Sequence, residues 1–259
     1  MTPRAASAAL LALLVTACAA PVDSLRVVSW NIHHGRGLDE RVDVARVADE
    51  LQALAPDFVL LQEVDVGVRR SGGVDIAAEL GARLGMHHAF AENIPYQGGS
   101  YGNAILSRWS VTEQHNLHYH MLREGEQRGL LTVVVAAPGG PLAIGCTHID
   151  SRSDDAERMA NAPEILAAVS QRGLLGVGGD FNDLPDSRVH RALCAALVDC
   201  WREAVGEEEG PTYPSSSPRK RIDWLLRARG SQWRTESARV VPTAASDHCA
   251  VVFELTRMR

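Results

Sequence analysis

The segment GGDFND at residues 178–183 places two carboxylates and a carboxamide within four consecutive positions. It follows the apolar run GLLGV, which is typical of a buried strand that ends at the glycines. Polar side chains at such a strand end leave the core and face whatever binds there. Gly, Asp and Asn are also ordinary turn residues, so this segment alone is equally consistent with a tight turn.

Other segments also carry polar groups where apolar runs begin or end. They are VVSWNIHHG (27–35), VLLQEVD (59–65), YGNAILSR (101–108), IGCTHID (144–150), RIDWLL (221–226) and ASDHCAVV (245–252). Carboxylate and amide oxygens suit Mg²⁺, Mn²⁺ or Ca²⁺, whereas zinc and copper prefer imidazole and sulfur. Histidines that adjoin carboxylates add possible general acids or donors to a developing anion. The set indicates metal-assisted hydrolysis of a phosphate ester.

These seven segments, in this order from Leu25 to Leu255, resemble the endonuclease/exonuclease/phosphatase superfamily with the DNase I-like fold. The resemblance covers nearly the whole chain after its N-terminal segment. It implies an α/β fold, a four-layer sandwich of two central mixed β-sheets flanked by helices, with the active site at one edge.

The resemblance implies a Mg²⁺ cofactor, with Mn²⁺ or Ca²⁺ as other choices, held by Glu63 with Asn31 and Asp247. It places Asn103 in the phosphate pocket. Arg128, at the start of RGLLTVVV, either contacts a substrate phosphate or is an exposed arginine at a strand edge.

The resemblance also implies the catalytic roles. Asp180 orients or deprotonates the attacking water, and Asn182 holds a phosphate oxygen. His148 and His248 donate hydrogen bonds to the phosphate as negative charge builds in the transition state. Asp223 fixes the ring of His248, as carboxylates commonly fix catalytic imidazoles.

Several further polar residues have weaker assignments. One of His33 and His34, which flank the metal position of Asn31, is a candidate to touch the substrate. The remaining histidines that lack a carboxylate partner in a motif are interpreted as surface or loop residues: His87, His88, His115, His118 and His120. Loop arginines form either a modest phosphate-reading rim or ordinary solvated charge: Arg69, Arg70, Arg219 and Arg221.

The elements that must position these residues alternate along the chain. Strands are predicted at LRVVSWNI, FVLLQEV, NAILS, LLTVVVAA, LAIGCTHI, LLGVGGD, IDWLLRA, ARVVPT and CAVVFEL. Helices are predicted over 41–54, 74–84, 154–171 and 187–196. Neither an internal repeat nor a linker divides this pattern, so a single layered α/β domain over 25–259 is expected.

The first residues, MTPRAASAALLALLVTACAA, predict an export signal that is too short to span a bilayer. VTAC resembles a bacterial lipobox, which implies a signal peptide over 1–17, lipid attachment at Cys18 and a tether over 18–24. Simple signal cleavage near the same site is the alternative. The expectation is a cell-envelope lipoprotein of the outer membrane or cell surface, or otherwise a secreted or periplasmic protein.

Composition limits the partners. The net charge is −6 and Lys220 is the only lysine, so no broad basic field exists to hold nucleic acid non-specifically. Apart from Cys18, the chain has four cysteines: Cys194 and Cys200 are the likelier disulfide pair, and Cys146 and Cys249 are either buried thiols or a bridge. The lack of a C-x-x-C spacing argues against a structural zinc site.

The leading hypothesis is a monomeric, metal-dependent phosphodiesterase or phosphatase at the cell envelope. Its phosphoester substrate is a lipid head group, an inositol phosphate or nucleic acid. A secreted endonuclease that acts on DNA is the alternative. A surface binding protein that has lost turnover is a remote one, because all the matched catalytic positions are filled.

Overall fold

Twelve strands and five helices form within residues 20–258, the part of the chain that the computed structural model describes. The strands are β1 (Ser24–Asn31), β2 (Phe58–Val66), β3 (His87–Tyr96), β4 (Gly99–Ser107), β5 (Val111–His118), β6 (Gly129–Val135), β7 (Leu142–His148), β8 (Gly176–Asp180), β9 (Leu197–Asp199), β10 (Asp223–Ala228), β11 (Trp233–Val241) and β12 (Ala250–Arg257). The helices are α1 (Val44–Leu54), α2 (Ile76–Leu84), α3 (Ala156–Arg172), α4 (Arg188–Cys194) and α5 (Cys200–Ala204).

The strands form two mixed sheets that have the same strand connectivity. The first has the order β11-β12-β1-β2-β4-β3, and the second has the order β5-β6-β7-β8-β10-β9. Each sheet has one parallel pair near its centre, β1 with β2 and β7 with β8, and its other neighbours are antiparallel. The carboxyl ends of β1 and β2 therefore share one edge of the first sheet, and those of β7 and β8 share one edge of the second. A hydrogen bond from Asn31 to Asp180 shows that these two edges meet.

Three apolar layers hold the sheets and helices together. The central layer lies between the two sheets and includes Leu60, Leu131 and Phe253. A second layer packs α1 and α2 on the outer face of the first sheet, and a third packs α3 and α4 on the outer face of the second. The predicted four-layer sandwich is confirmed.

The four predicted helices are confirmed as α1 to α4, and polar side chains fix where three of them start. Asp43, Asp75 and Ser187 each accept a hydrogen bond from the backbone N–H three residues later. Such a cap satisfies one of the backbone donors that a helix start leaves free.

The nine predicted strands are confirmed, but β3, β5, β9 and the short α5 were missed. β3 and β5 are edge strands of the two sheets. β5 is largely polar and exposed, and half of the residues of β3 are exposed, which hides the strand pattern. Side chains of β5 reach the backbone of β3: Gln114 donates to the Phe90 carbonyl oxygen and Asn116 to that of Glu92. The interpretation as surface or loop residues is confirmed for four histidines, which are exposed and lie on β3 and β5: His87, His88, His115 and His118.

The glycines that precede Asp180 allow β8 to approach its neighbours closely. Gly179 has φ +150°, and a Cβ atom placed there would lie 1.8 Å from the carbonyl oxygen of Thr147 on β7. A Cβ atom on Gly178 would lie 2.6 Å from a methyl group of Leu60 in the first sheet. These contacts explain why the apolar run ends in two glycines.

The expected Cys194–Cys200 disulfide is not formed, and all four cysteines in the described residues are free thiols. The strand β9 separates the two residues along the chain. Cys200 is buried between the two sheets, whereas Cys194 packs beside the helices on the outer face of the second sheet. The two sulfur atoms therefore lie on opposite faces of that sheet.

The predicted signal peptide and Cys18 lie outside the described residues. Within the predicted tether, the Val22 backbone N–H donates to the Pro138 carbonyl oxygen at 3.1 Å, and Val22 packs against the central layer. In residues 20–258, we find no helix with both the length and the apolar character needed to cross a membrane.

Candidate active site

The polar residues predicted from sequence converge where the central strands of the two sheets end. Asn31 ends β1, His148 ends β7 and Asp180 ends β8. Asp223 begins β10, opposite Asp180 in the antiparallel register. His248 lies just before β12, with its carbonyl oxygen held by the Trp30 indole N–H at 3.0 Å. Two different sheets therefore build one site.

The centre of this arrangement is one oxygen of Asp180. Its Oδ2 atom lies 3.5 Å from Nε2 of His148 and 3.7 Å from Nε2 of His248. The Asn31 amide donates to the same oxygen at 3.2 Å. Asp180 is 1% exposed, and its other oxygen accepts from the Asn182 backbone N–H at 2.9 Å. Burial raises the pKa of Asp180 to about 7, although the His248 imidazolium opposes this rise.

His248 is held as a cation. Its Nδ1 atom lies 3.0 Å from Oδ2 of Asp223, and Thr212 donates to that same carboxylate oxygen at 2.5 Å. Burial disfavours the charged imidazolium, but the Asp223 and Asp180 carboxylates outweigh it and raise the pKa of His248 to about 10. At neutral pH its Nε2–H can therefore donate towards Asp180 or a bound anion.

His148 has the opposite character. Burial, the Arg128 guanidinium and the His248 imidazolium hold the pKa of His148 well below its usual range. Arg128 lies with Nη1 2.9 Å from Nδ1 of His148. Because a guanidinium can only donate, Nδ1 must accept and the proton of the neutral ring sits on Nε2, the atom that faces Asp180. The side-chain nitrogen of Asn182 donates to the Ile149 carbonyl oxygen at 3.2 Å and lies 3.0 Å from the same Nε2, a contact between two donors and not a hydrogen bond.

Arg128 and Asn103 have protein partners below the centre of the site. Arg128 is 9% exposed and also pairs with Glu126 at 2.9 Å, so the alternative of an exposed edge arginine is wrong. Asn103 is 1% exposed, and its amide donates to the Gly129 carbonyl oxygen at 3.1 Å. Gly129 lies opposite His148 in the β6–β7 register, so Asn103 helps to position the strand that neighbours His148.

Glu63 occupies the other side of Asn31. The β2–β4 register shifts between Leu61 and Val64, and within this bulge Glu63 has φ +58°. The Asn31 amide nitrogen donates to Glu63 Oε1 at 3.0 Å. Asp247, also expected near the metal, lies with Oδ1 3.6 Å from Nδ1 of His33.

Two groups of three possible metal-ligating side chains lie here among the described residues. One is Asp180, Asp223 and His248, and the other is His33, His34 and Glu63. His34 is 5% exposed, and burial and the nearby Arg70 lower its pKa to about 4. It is therefore neutral at pH 7 and able to offer a lone pair.

Arg70 and Tyr213 lie near histidines of the site, and the sequence predicted no specific role for either. Arg70 is fixed by two 2.9 Å hydrogen bonds to the buried Asp65, and its guanidinium lies 4.6 Å from the centre of the Tyr96 ring. Tyr213 packs against the His248 ring at 4.7 Å. The position of Asp65 in LQEVD could have indicated that an arginine pairs with it. No feature of the sequence indicated the positions of Tyr96 and Tyr213.

Unusual backbone conformations mark the same place. Eight non-glycine residues of residues 20–258 have positive φ, and four of them lie at the site: His33, His34, Glu63 and Asn182. Such conformations cost free energy and often accompany functional positions, where the surrounding structure maintains them.

Comparisons with known proteins cover most of the chain. The sequence pattern of the Endonuclease/Exonuclease/phosphatase family matches residues 28–248. The chain is similar to the uncharacterized protein YbhP of Escherichia coli K12, with 26% identity over 212 residues, which is 77% of this chain and 83% of that protein.

Solved structures share the fold. A Beutenbergia cavernae endonuclease/exonuclease/phosphatase superposes with a TM-score of 0.76 at 24% identity, over 92% of this chain and 72% of that one. The Bacteroides thetaiotaomicron mannosyl-6-phosphatase Bt3783 superposes with a TM-score of 0.73 at 15% identity, over 90% of this chain and 99% of that one.

Proposed function

Because this chain belongs to the endonuclease/exonuclease/phosphatase family, a family of phosphoester hydrolases, we propose that it hydrolyses a small phosphoester with the help of a divalent cation. One observation carries this proposal: two imidazoles, one at the end of β7 and the other just before β12, face the same Asp180 oxygen at 3.5 Å and 3.7 Å. A carboxylate base beside two N–H donors suits the attack of water on a phosphate.

The roles follow from the charges. Asp180, whose pKa is raised by burial, accepts a proton from the attacking water. The His248 imidazolium and the neutral His148, each through Nε2–H, donate to phosphate oxygens as their charge grows. The amide of Asn182, 3.0 Å from the His148 Nε2, contacts the same phosphate. Asp223 and Arg128 hold the two imidazoles in these states.

The donor set fits a divalent cation. Glu63 offers a partly exposed carboxylate, and Asn31, Asp247 and two imidazoles lie around it. When bound there, the cation would supply positive charge to the phosphate and lower the pKa of the attacking water. Mg²⁺ is the ion expected from sequence, with Mn²⁺ or Ca²⁺ as the other choices.

The charge of the loops supports a small substrate over duplex DNA. The loops at the active-site edge contain ten arginine or lysine residues against fifteen aspartate or glutamate residues: 33–43, 67–75, 97–98, 119–128, 149–155, 181–187, 205–222 and 242–249. Six of the ten basic residues are already paired with carboxylates: Arg36, Arg70, Arg123, Arg128, Arg152 and Arg221. Binding to DNA depends on basic residues that neutralise many phosphates.

The test is hydrolysis by the protein from Ala19 onward, with Mg²⁺ and Mn²⁺ in parallel. The substrates are bis-p-nitrophenyl phosphate, p-nitrophenyl phosphate and plasmid DNA. We expect cleavage of a small ester and intact plasmid, with activity lost on chelation and about 10²–10³-fold lower in His148→Ala. Plasmid nicking that disappears in the variant would instead make the protein a nuclease. Inactivity on all three substrates would refute the proposal.

A further inference from the structure

The two imidazoles beside Glu63 have no part in the roles assigned to Asp180, His148 and His248. One nitrogen of His33, one nitrogen of His34 and one carboxylate oxygen of Glu63 lie within 4.8 Å of one another. The two rings meet edge to face with their centres 4.6 Å apart. Ligands of one ion at about 2.0–2.2 Å lie up to about 4.3 Å from each other, so small side-chain rotations would bring all three onto one cation.

His34 lacks a partner that its burial demands. The residue is 5% exposed, and its Nδ1 atom is buried with no hydrogen-bond partner among the described residues. Buried polar atoms are nearly always satisfied, and an exception calls for a ligand or a functional reason. A cation bound between His34 and Glu63 would give this nitrogen a partner.

The oxygen of Asn31 points away from the place where a metal would need it. Asn31 Oδ1 accepts from the His33 backbone N–H at 3.1 Å, while its amide nitrogen faces Glu63 at 3.0 Å and Asp180 at 3.2 Å. The amide nitrogen therefore lies between two carboxylates. The His33 and His34 imidazoles, which lie within reach of Glu63, are placed to complete a coordination shell with it.

Asp247 reinforces this arrangement. Its Oδ1 atom lies 3.6 Å from Nδ1 of His33. Metal-binding histidines commonly use their second nitrogen to contact a carboxylate, which fixes the ring and raises its basicity. Asp247 is thus placed to orient the His33 ring, with Nε2 left for an ion.

We propose that His33, His34 and Glu63 together hold the divalent cation, so that the protein selects a first-row transition metal over Mg²⁺. The metal dependence rests on the proposed function, but the ligand set is this chain's own. Mg²⁺ prefers oxygen ligands and keeps much of its water, whereas two imidazoles with one carboxylate suit ions of the Mn²⁺ to Zn²⁺ series. Asp247 is then a positioning residue.

Metal binding to the chelator-treated protein tests this directly, without substrate. Mn²⁺ is titrated and observed by electron paramagnetic resonance, with electron spin echo detection of nitrogen coupling, and Mg²⁺ is then added as competitor. The test variant is His33→Asn/His34→Asn, because asparagine tolerates the positive φ of both positions, +46° and +47°. His88→Asn, at an exposed histidine of β3, is the matched control.

We expect imidazole nitrogen coupling in the wild type and in His88→Asn. In the double variant we expect the coupling to disappear and Mn²⁺ to bind about 100-fold more weakly. Mutating residues that only support a metal ligand already weakens binding by up to about 100-fold, so the loss of two ligands should cost at least as much. Wild-type Mn²⁺ without nitrogen coupling, or equal affinity in the double variant, would overturn the proposal. If the double variant does not fold, the wild-type spectrum decides. Absence of phosphoester hydrolysis would count against the proposed function and leave this result standing.

Discussion

His148 and His248 face one carboxylate but hold their protons for different reasons. His248 lies against Asp223, which keeps it charged, whereas the Arg128 guanidinium beside His148 keeps that ring neutral. Different environments can give two histidines of one site very different pKa values, and the two rings can then take different roles in the reaction. Both rings direct an Nε2–H towards Oδ2 of Asp180. The two histidines can therefore stabilise a phosphate anion while Asp180 remains available as the base.

These charges predict a bell-shaped dependence of kcat/KM on pH. Activity rises as Asp180 ionises; its pKa is about 7 without a cation, and a bound cation would place this limb at or below pH 7. Activity falls as His248 loses its proton near pH 10. The stability that the raised pKa of His248 provides is full below its unfolded pKa of about 6.5, declines as the pH rises above that value, and is gone above about pH 10.

Asp223→Asn tests which residue causes the alkaline limb. Removing this carboxylate lowers the pKa of His248, so the limb should move to lower pH, with kcat reduced about 10²–10⁴-fold. Asp39→Asn, which removes an exposed carboxylate from the loop after β1, should leave both limbs in place. An alkaline limb that Asp223→Asn does not move would assign it to another group. The measurement is the pH profile of each variant on the same ester.

At the scale of elements, the strand ends explain why so much of the site could be predicted. Asn31, His148 and Asp180 each follow an apolar run that is buried in a central strand, so sequence pattern and position in the fold coincide. The pair of glycines before Asp180 reflects contacts with Thr147 and Leu60, which belong to other strands. The sequence shows that two glycines precede Asp180, but it does not show which residues they approach.

Other features depend on contacts that no local pattern records. The edge strands β3 and β5 expose many of their residues, and hydrogen bonds between the two sheets help to join them. Glu63 reaches the site through a bulge with positive φ, which the apolar run around it does not reveal. The convergence of His33 and His34 on Glu63 likewise requires left-handed backbone in a short turn. The separation of Cys194 and Cys200 depends on which face of the second sheet each residue meets.

At the scale of the whole molecule, the start of the domain, where the predicted lipid anchor would join it, and the candidate active site lie at opposite ends of β1. This strand runs from Ser24 to Asn31, a length of about 23–26 Å. Val22 is bound to the loop at Pro138, so a lipid on Cys18 would have only about 14 Å of chain before the domain. We propose that an anchored protein directs its site away from its own membrane and acts on soluble phosphoesters.

Cys18→Ala tests this proposal in cells. The wild type should fractionate with membranes and the variant with the soluble exported fraction, because one lipid-modified cysteine is the proposed attachment. Both forms should hydrolyse a soluble ester at similar rates, since the site faces outward. Wild-type protein in the soluble fraction would refute the anchor, and a membrane-bound form active only after release would refute the orientation.

The Asp180 carboxylate, held between two imidazoles, is the base that we propose for the hydrolysis. The most direct measurement is kcat for bis-p-nitrophenyl phosphate in Asp180→Asn, beside Asp186→Asn, which changes an exposed carboxylate six residues away. We predict a loss of about 10²–10³-fold or more for Asp180→Asn, with thermal unfolding showing a folded protein, and little change for Asp186→Asn. Near wild-type turnover in folded Asp180→Asn would contradict this account.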